Sequence, residues 1–317
     1  MRKAALLYNP DSGGSRKRQS ELESALAVLR DGGVEADLIA TDSPCHAGDE
    51  ARRAIAAGCD TIFVCGGDGT IQNIAQVLVK SPIAMAVLPM GTANALAHDL
   101  GLPLTVVGAA KAALTAVPRR VALGLVRYTD LNGNPNSRYF IVAAGVGADA
   151  HLFYKLHSDA KQRIGMAAYY AKAWNLWFTY AMRRFMTEYH ELDGTVRRRA
   201  NITELMAIRI RNFGGVLREF APGASINRDD LRIIVCRTSS RLVYLAYVVR
   251  CLLRLPLTIP GVDLAFASRV SCLEQPAAPG QERQKIYIEA DGELLGTLPA
   301  ELTIVPDALT LLAPRAI

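Results

Sequence analysis

The sequence predicts an α/β chain of two parts, a parallel α/β domain at the N-terminus followed by a mainly antiparallel β domain. Two observations carry this expectation. Short apolar runs alternate with amphipathic patterns from Lys3 to Thr115, and from about Leu123 strand patterns follow one another with few helices between them. Alternation of the first kind makes βαβ units and a parallel sheet, whereas strand after strand pairs with antiparallel neighbours. With 317 residues, half of them hydrophobic, the chain can fill two domains with buried cores.

In the first part, strands are expected at 3–8, 35–40, 61–65 and 84–89, and helices at 16–31, 46–57, 70–80, 94–100 and 105–115. Leu22, Ala25, Leu26 and Leu29 fall on one face of the first helix, and Gly32-Gly33 supply its stop; Gly58 ends the next one. In the second part, strands are expected at 138–144, 203–211, 231–237, 285–290 and 302–305, interrupted by helices at 162–185 and 239–255. Met166, Tyr170, Trp174, Trp177, Ala181 and Phe185 form one stripe along 162–185, suited to a core or, beside Arg183-Arg184, to a membrane interface. The helix at 239–255 presents the same choice.

The apolar run Ala4-Ala5-Leu6-Leu7-Tyr8 stops at Asn9-Pro10, too short for a signal peptide, and Arg250 and Arg254 interrupt the longest apolar stretch. A cytoplasmic protein is expected. The six cysteines show no CxxC spacing and read as free thiols. A formal charge of +6 and a pI near 9.0 point to an anionic partner. Basic clusters at Arg183-Arg184, Arg197-Arg198-Arg199, Arg209, Arg211, Arg241, Arg250 and Arg254, beside apolar helices, suit peripheral attachment to an anionic membrane surface at its inner face. No nucleic-acid motif accompanies the charge, no HExxH or metal spacing joins the five histidines, and no GxSxG elbow occurs. Nucleic-acid modules, zinc enzymes and serine hydrolases of those types are set aside.

Three glycine-bearing turns each follow an expected strand and open an expected helix: Asn9-Pro10-Asp11-Ser12-Gly13-Gly14-Ser15, Gly66-Gly67-Asp68-Gly69-Thr70 and Met90-Gly91-Thr92-Ala93-Asn94. In a parallel sheet they share the carboxyl edge, where exposed backbone N–H groups and helix N-termini cradle phosphate. Strand-to-helix turns favour glycine for local reasons too, but that does not explain Asp68. A carboxylate between two glycines at a phosphate edge repels the ligand unless a divalent cation lies between them, so Mg²⁺ is implied.

Together with the late Asp291-Gly292-Glu293, these motifs resemble the diacylglycerol kinase catalytic domain superfamily, which includes diacylglycerol, sphingosine and ceramide kinases. The likeness runs in order along nearly the whole chain, and GGDGT with a downstream GTxNxxA is a specific pairing. It implies an ATP-binding α/β domain over 1–122 and a β-sandwich-like lipid-substrate domain over 123–317, whose last strand could return to the first. It implies an ATP- and Mg²⁺-dependent kinase that phosphorylates a hydroxyl of a membrane lipid, and leaves a homodimer open. By position, Asn9, Pro10, Ser12, Gly13, Gly66, Gly67, Gly69, Thr70, Gly91, Thr92 and Asn94 would contact nucleotide, and Asp68 would stand in the catalytic centre, also as a metal ligand. Asp291 and Glu293 match the family's late acidic motif. Asp68, Asp291 and Glu293 are the candidates for accepting the hydroxyl proton, with Glu293 first and Asp68 next. Asp-Gly between alternating apolar residues is also a favoured hairpin turn, and the turn could itself present the carboxylates.

Asp149 aligns with an acid that meets a lipid head group in sphingoid kinases, and equally reads as a helix N-cap. Asp229 and Asp230 fall at the family's structural Mg²⁺ loop but lack its usual glycine. Ala95 and Ala122 stand where many diacylglycerol kinases of the group carry Asp, and Asn94-Ala95-Leu96-Ala97 is closer to the sphingosine and ceramide branch. Two rival readings remain at this point, an NAD kinase-type small-molecule kinase and a non-catalytic lipid- or nucleotide-binding regulator.

Overall fold

The computed structural model describes residues 1–10, 16–41, 46–148, 150, 182–214, 219–276 and 285–314. The chain divides into two compact units, Met1–Leu123 with Ile210–Arg218 and Val305–Ile317, and Gly124–Arg209 with Glu219–Ile304. The terminal segment thus belongs to the first unit, and so does 210–218, which the sequence assigns to the second domain.

In the first unit β1 (Lys3–Tyr8), β2 (Glu35–Ala40), β3 (Thr61–Gly66) and β4 (Ala84–Pro89) lie in the order β2-β1-β3-β4, parallel throughout. Late in β14 (Glu293–Ala313), Thr310 and Leu311 extend this sheet by pairing with Ala84 and Met85. Every residue of β3 and β4 is buried, which is why both read as continuous apolar runs. Between strands come α1 (Arg16–Asp31), α2 (Ala47–Ala56), α3 (Asp68–Leu78), α4 (Ala95–Asp99) and α5 (Val106–Thr115). Leu22, Ala25 and Leu29 of α1 enter a core with Leu6, Phe63 and Leu88. Tyr8 stands opposite Cys65, and Gly66 opposite Pro89, so the three chains leave the sheet side by side at one edge.

The second unit is antiparallel. The end of β5 (Val117–Asp130) pairs with β6 (Pro135–Phe140), and β7 (Ala143–Gly147), β8 (Phe185–Glu191), β9 (Val196–Ile202), β10 (Glu204–Ile208), β11 (Leu231–Cys236), β12 (Val262–Glu274) and β13 (Tyr287–Ala290) run in the order β13-β7-β10-β11-β12-β8-β9. The early part of β14 closes a hairpin with β13 and also pairs with β12. Val146, Leu205, Ile233, Val270 and Ile288 lie in its core. One described helix, α6 (Arg241–Leu252), belongs to this unit.

Several strands depart from expectation. The helix expected at 162–185 falls outside the described residues except at its end, where Phe185 opens β8 instead: Phe185, Thr187 and Tyr189 are buried alternately, a period of two. β9 and β12 carry charged residues among their exposed positions and escape hydropathy patterning, whereas β5 is buried and apolar from Val121 to Val126 and was not among the expected strands. The run 138–144 breaks at Ile141-Val142, whose amides are taken by a side chain described below. Cys59, Cys65, Cys236, Cys251 and Cys272 are buried thiols outside any disulfide, and burial pushes the Cys272 thiol up to about 12 and that of Cys251 to about 11. Among the described residues no helix is long and apolar enough to cross a membrane.

Candidate active site

The first unit gathers the glycine turns because β1, β3 and β4 are neighbours. After β1, Asn9 is half-buried and Pro10 exposed, while Ser12 and Gly13 lie outside the described residues. After β3, Gly67 caps α3 without side-chain help; its carbonyl accepts from Thr70 N at 3.0 Å and Ile71 N at 3.1 Å. Thr70 itself is buried, its hydroxyl and Cβ folded against Gly66. After β4, Gly91 N donates to Asn94 Oδ1 at 2.8 Å, and Asn94 Nδ2 returns a bond to Gly91 O at 2.9 Å. Asn94 sits in the left-handed region at φ 48°, so this reciprocal pair closes the turn that opens α4. Thr92 is exposed at its tip.

The second and third turns touch. A Cβ on Gly91 would lie 2.6 Å from Gly67 Cα, so the two glycines are required by the close approach of the two backbones. Asp68 stands at this junction. Burial raises its carboxyl above the ordinary range, while backbone N–H groups of Leu96, Ala95 and Asn94, among others, pull it back down. Its Oδ1 is buried with no hydrogen-bond partner. An ionised oxygen left so is costly, and a cation is the group that would satisfy it.

The sequence did not single out the support beneath α4. Asp99 Oδ1 accepts from Arg211 N at 2.8 Å and Asn212 N at 2.9 Å, and Asn212 Nδ2 donates to the His98 carbonyl at 3.3 Å. Gly214 lies against the His98 ring, where a Cβ would come within 2.3 Å of Cδ2. The available signal was Gly214-Gly215 just after an expected strand, the pattern that marked the other turns.

In the second unit Asp291 and Gly292 form the hairpin turn between β13 and β14, both at positive φ, 49° and 82°. The Asp291 carboxylate accepts from Ile141 N at 2.8 Å, Val142 N at 2.9 Å and Ala143 N at 3.0 Å, and its amide donates to Ala143 O. Glu293, the first residue of β14, is partly exposed and paired with Arg138 at 2.7 Å. Buried Glu204 accepts from Ala148 N at 2.6 Å, a role its place inside a strand concealed; Asp149 lies outside the described residues. Asp230 is buried and clasped by Arg228 through both carboxylate oxygens, with Asp229 exposed beside it. Among the described residues no group of three His, Cys, Asp or Glu is set to hold a metal, so Asp229 and Asp230 come together with an arginine and without a third ligand of that kind.

Glycine turns from adjacent parallel strands around a half-buried carboxylate are the equipment of a phosphoryl-transfer enzyme. Residues 3–126 match the diacylglycerol kinase catalytic domain, and residues 141–313 match the YegS C-terminal NAD kinase beta sandwich-like domain. The chain belongs to the diacylglycerol kinase catalytic domain superfamily, and is a kinase with an alcohol acceptor. It is 26% identical to the diacylglycerol kinase of Bacillus subtilis (strain 168) over 304 residues, 95% of this chain and 93% of that protein. The diacylglycerol kinase of Staphylococcus aureus (strain MRSA252) is also 26% identical, over 326 aligned residues, covering 100% of this chain and 94% of the relative. A solved diacylglycerol kinase of Bacillus anthracis str. Sterne superposes with a TM-score of 0.71 at 18% identity, over 99% of this chain and 98% of that one. The yeast NADH kinase complexed with NADH shares the fold at a TM-score of 0.52 and 8% identity, over 98% and 83%.

Proposed function

We propose that this kinase transfers the γ-phosphoryl group of ATP, with Mg²⁺, to a free hydroxyl of a diacylglycerol-type membrane lipid, working as a peripheral protein at the cytoplasmic face. The observation that carries the reading is Asp68, a carboxylate raised by burial, with one oxygen lacking a partner, where two glycine turns meet. That residue fits a divalent cation, and side-chain-free backbone at Gly67 and Gly69 fits phosphate. Mg²⁺, when bound, would neutralise charge on the transferring phosphoryl group. The chain's own part is then to orient: backbone N–H groups of the second turn hold the phosphates, and Asn94 keeps the third turn in shape beside them.

Glu293 is the preferred acceptor of the hydroxyl proton. Arg138 steadies it, whereas the Asp291 carboxylate is already committed to three amides and serves as a positioning residue. Relatives named diacylglycerol kinase, matched over nearly their whole lengths, support the acceptor class. Asn94-Ala95-Leu96-Ala97 keeps ceramide and sphingoid bases within it. Incubation with labelled ATP, Mg²⁺ and a panel of diacylglycerol, ceramide, sphingosine and NAD tests the proposal. Label is expected in a lipid-extractable phosphate monoester and lost on chelation of the metal; label in NAD alone overturns it.

A further inference from the structure

We infer that the outer face of α6 is a docking surface for an anionic lipid bilayer, its leucines entering the interface while the arginines around them meet acidic headgroups. The lipid-kinase reading bears on the choice of partner; the surface itself is read from α6 and its surroundings.

The inner face of α6 is pinned. Tyr247 Oη donates to the Phe220 carbonyl at 2.7 Å and its ring meets Phe220 edge-on, centroids 5.4 Å apart. Tyr244 Oη lies 2.8 Å from Thr203 Oγ1, and Cys251 is buried one turn beyond Tyr247. With those three turned inward, Leu242, Leu245, Val249 and Leu252 fall on the opposite face at spacings of three and four, and Leu253 and Leu255 continue it. Leu242 is 75% exposed and Leu253 63%. Six of the thirteen exposed large hydrophobics among the described residues lie in this one short stretch. An outward helix face is ordinarily polar, and a contiguous apolar one marks an interaction site.

Charge selects the occupant. The basic runs that looked promising in the sequence are largely neutralised: Arg197 pairs with Glu191, Arg198 with Glu188, and Arg199 and Arg237 share Asp263. Arg209 is buried and donates to the carbonyls of Asp230 and Ile226. Arg250 and Arg254, by contrast, lie in a stretch from Thr238 to Val262 whose sequence contains no acidic residue. Arg250 donates to the Pro256 carbonyl, which leaves its charge uncancelled. A second copy of α6 would set like charges against each other, and a nucleic acid would leave the leucines unmatched. An anionic bilayer answers both. At 12 residues the helix is about 18 Å long, short of a bilayer core, so it would lie in the plane of the interface.

The test is co-sedimentation of the full chain with phosphatidylcholine vesicles, with and without phosphatidylglycerol, at low and high salt. The wild type should bind the anionic vesicles and lose affinity as salt rises. L242Q/L245Q should bind at least about tenfold more weakly with an unchanged melting temperature, since both side chains are exposed. R250Q and R254Q should each weaken anionic binding about fivefold and leave neutral vesicles unaffected. Leu192→Gln, at a leucine in the β8–β9 turn whose exposure lies between those of Leu245 and Leu242, should bind as wild type. Unchanged vesicle binding by L242Q/L245Q, wild type that binds no vesicle, or a variant that loses only self-association in sedimentation velocity each overturns the inference. Phosphorylation of detergent-dispersed lipid by a wild type that ignores vesicles sinks this surface alone. Vesicle binding through α6 with no lipid phosphorylated sinks the functional reading alone.

Discussion

Asp68 and Asp291 both precede a glycine at the end of a β-strand, and their surroundings are opposite. Asp68 opens a helix, is raised by burial and keeps one oxygen unmatched. Asp291 turns a hairpin and spends its carboxylate on three successive amides, the reason β6 and β7 are separate strands. An unmatched charge is held in place by the fold for a ligand, whereas a matched one holds the fold. The same dipeptide therefore leaves a carboxylate oxygen unmatched in one unit, where we propose chemistry, and serves architecture in the other.

The largest expected effect tests the first half of that contrast. Asp68→Asn keeps shape and removes charge, so kcat should fall roughly 10²–10⁴-fold at saturating ATP and Mg²⁺. The same variant should melt higher than wild type. Burial raises the Asp68 carboxyl, so its ionised form is disfavoured in the fold; that cost is present above the folded-state pKa and vanishes below the unfolded value of about 3.9. The gap in melting temperature should therefore close as pH is lowered through the carboxylate range. Mg²⁺ should raise the melting temperature of wild type more than that of Asp68→Asn. Near-normal lipid phosphorylation by a folded Asp68→Asn would reduce GGDGT to a turn.

Asp291→Ala probes the other half. Three amides lose their acceptor, and a loss of roughly 2–4 kcal/mol in stability is expected from denaturant unfolding. Its kcat per folded molecule should fall far less than that of Asp68→Asn. If instead stability holds and turnover collapses, Asp291 and not Glu293 is the proton acceptor. The smallest effect belongs to the exposed ion pairs of the β8–β9 hairpin: Arg198→Gln should leave the melting temperature within scatter, because its pairing with Glu188 lies in solvent.

Much of the first unit was legible because its signals are local. A buried parallel strand is an unbroken apolar run, and α1 shows its inner face at 3.6-residue spacing, so β1 to β4 and α1 to α5 lie within a few residues of expectation. The glycine turns were legible for the same reason. The second unit hid β8, β9 and β12, whose alternation is mixed with arginines and carboxylates that pair across strands. No periodicity in one strand announces its neighbour's charge, so Arg197-Arg198-Arg199 reads as a basic patch although each of the three is matched by a carboxylate.

By itself the sequence determined the two fold classes, the order of the glycine turns and the candidate carboxylates, since each depends on residues close together in the chain. Only the tertiary structure decided that Gly67 and Gly91 meet, that 210–214 braces α4, that the Asp291 carboxylate is taken up by three amides while Asp68 Oδ1 is left unmatched, and which face of α6 is exposed. Those outcomes depend on partners distant in sequence, and whether a charge is buried, paired or left exposed is a property of its neighbours.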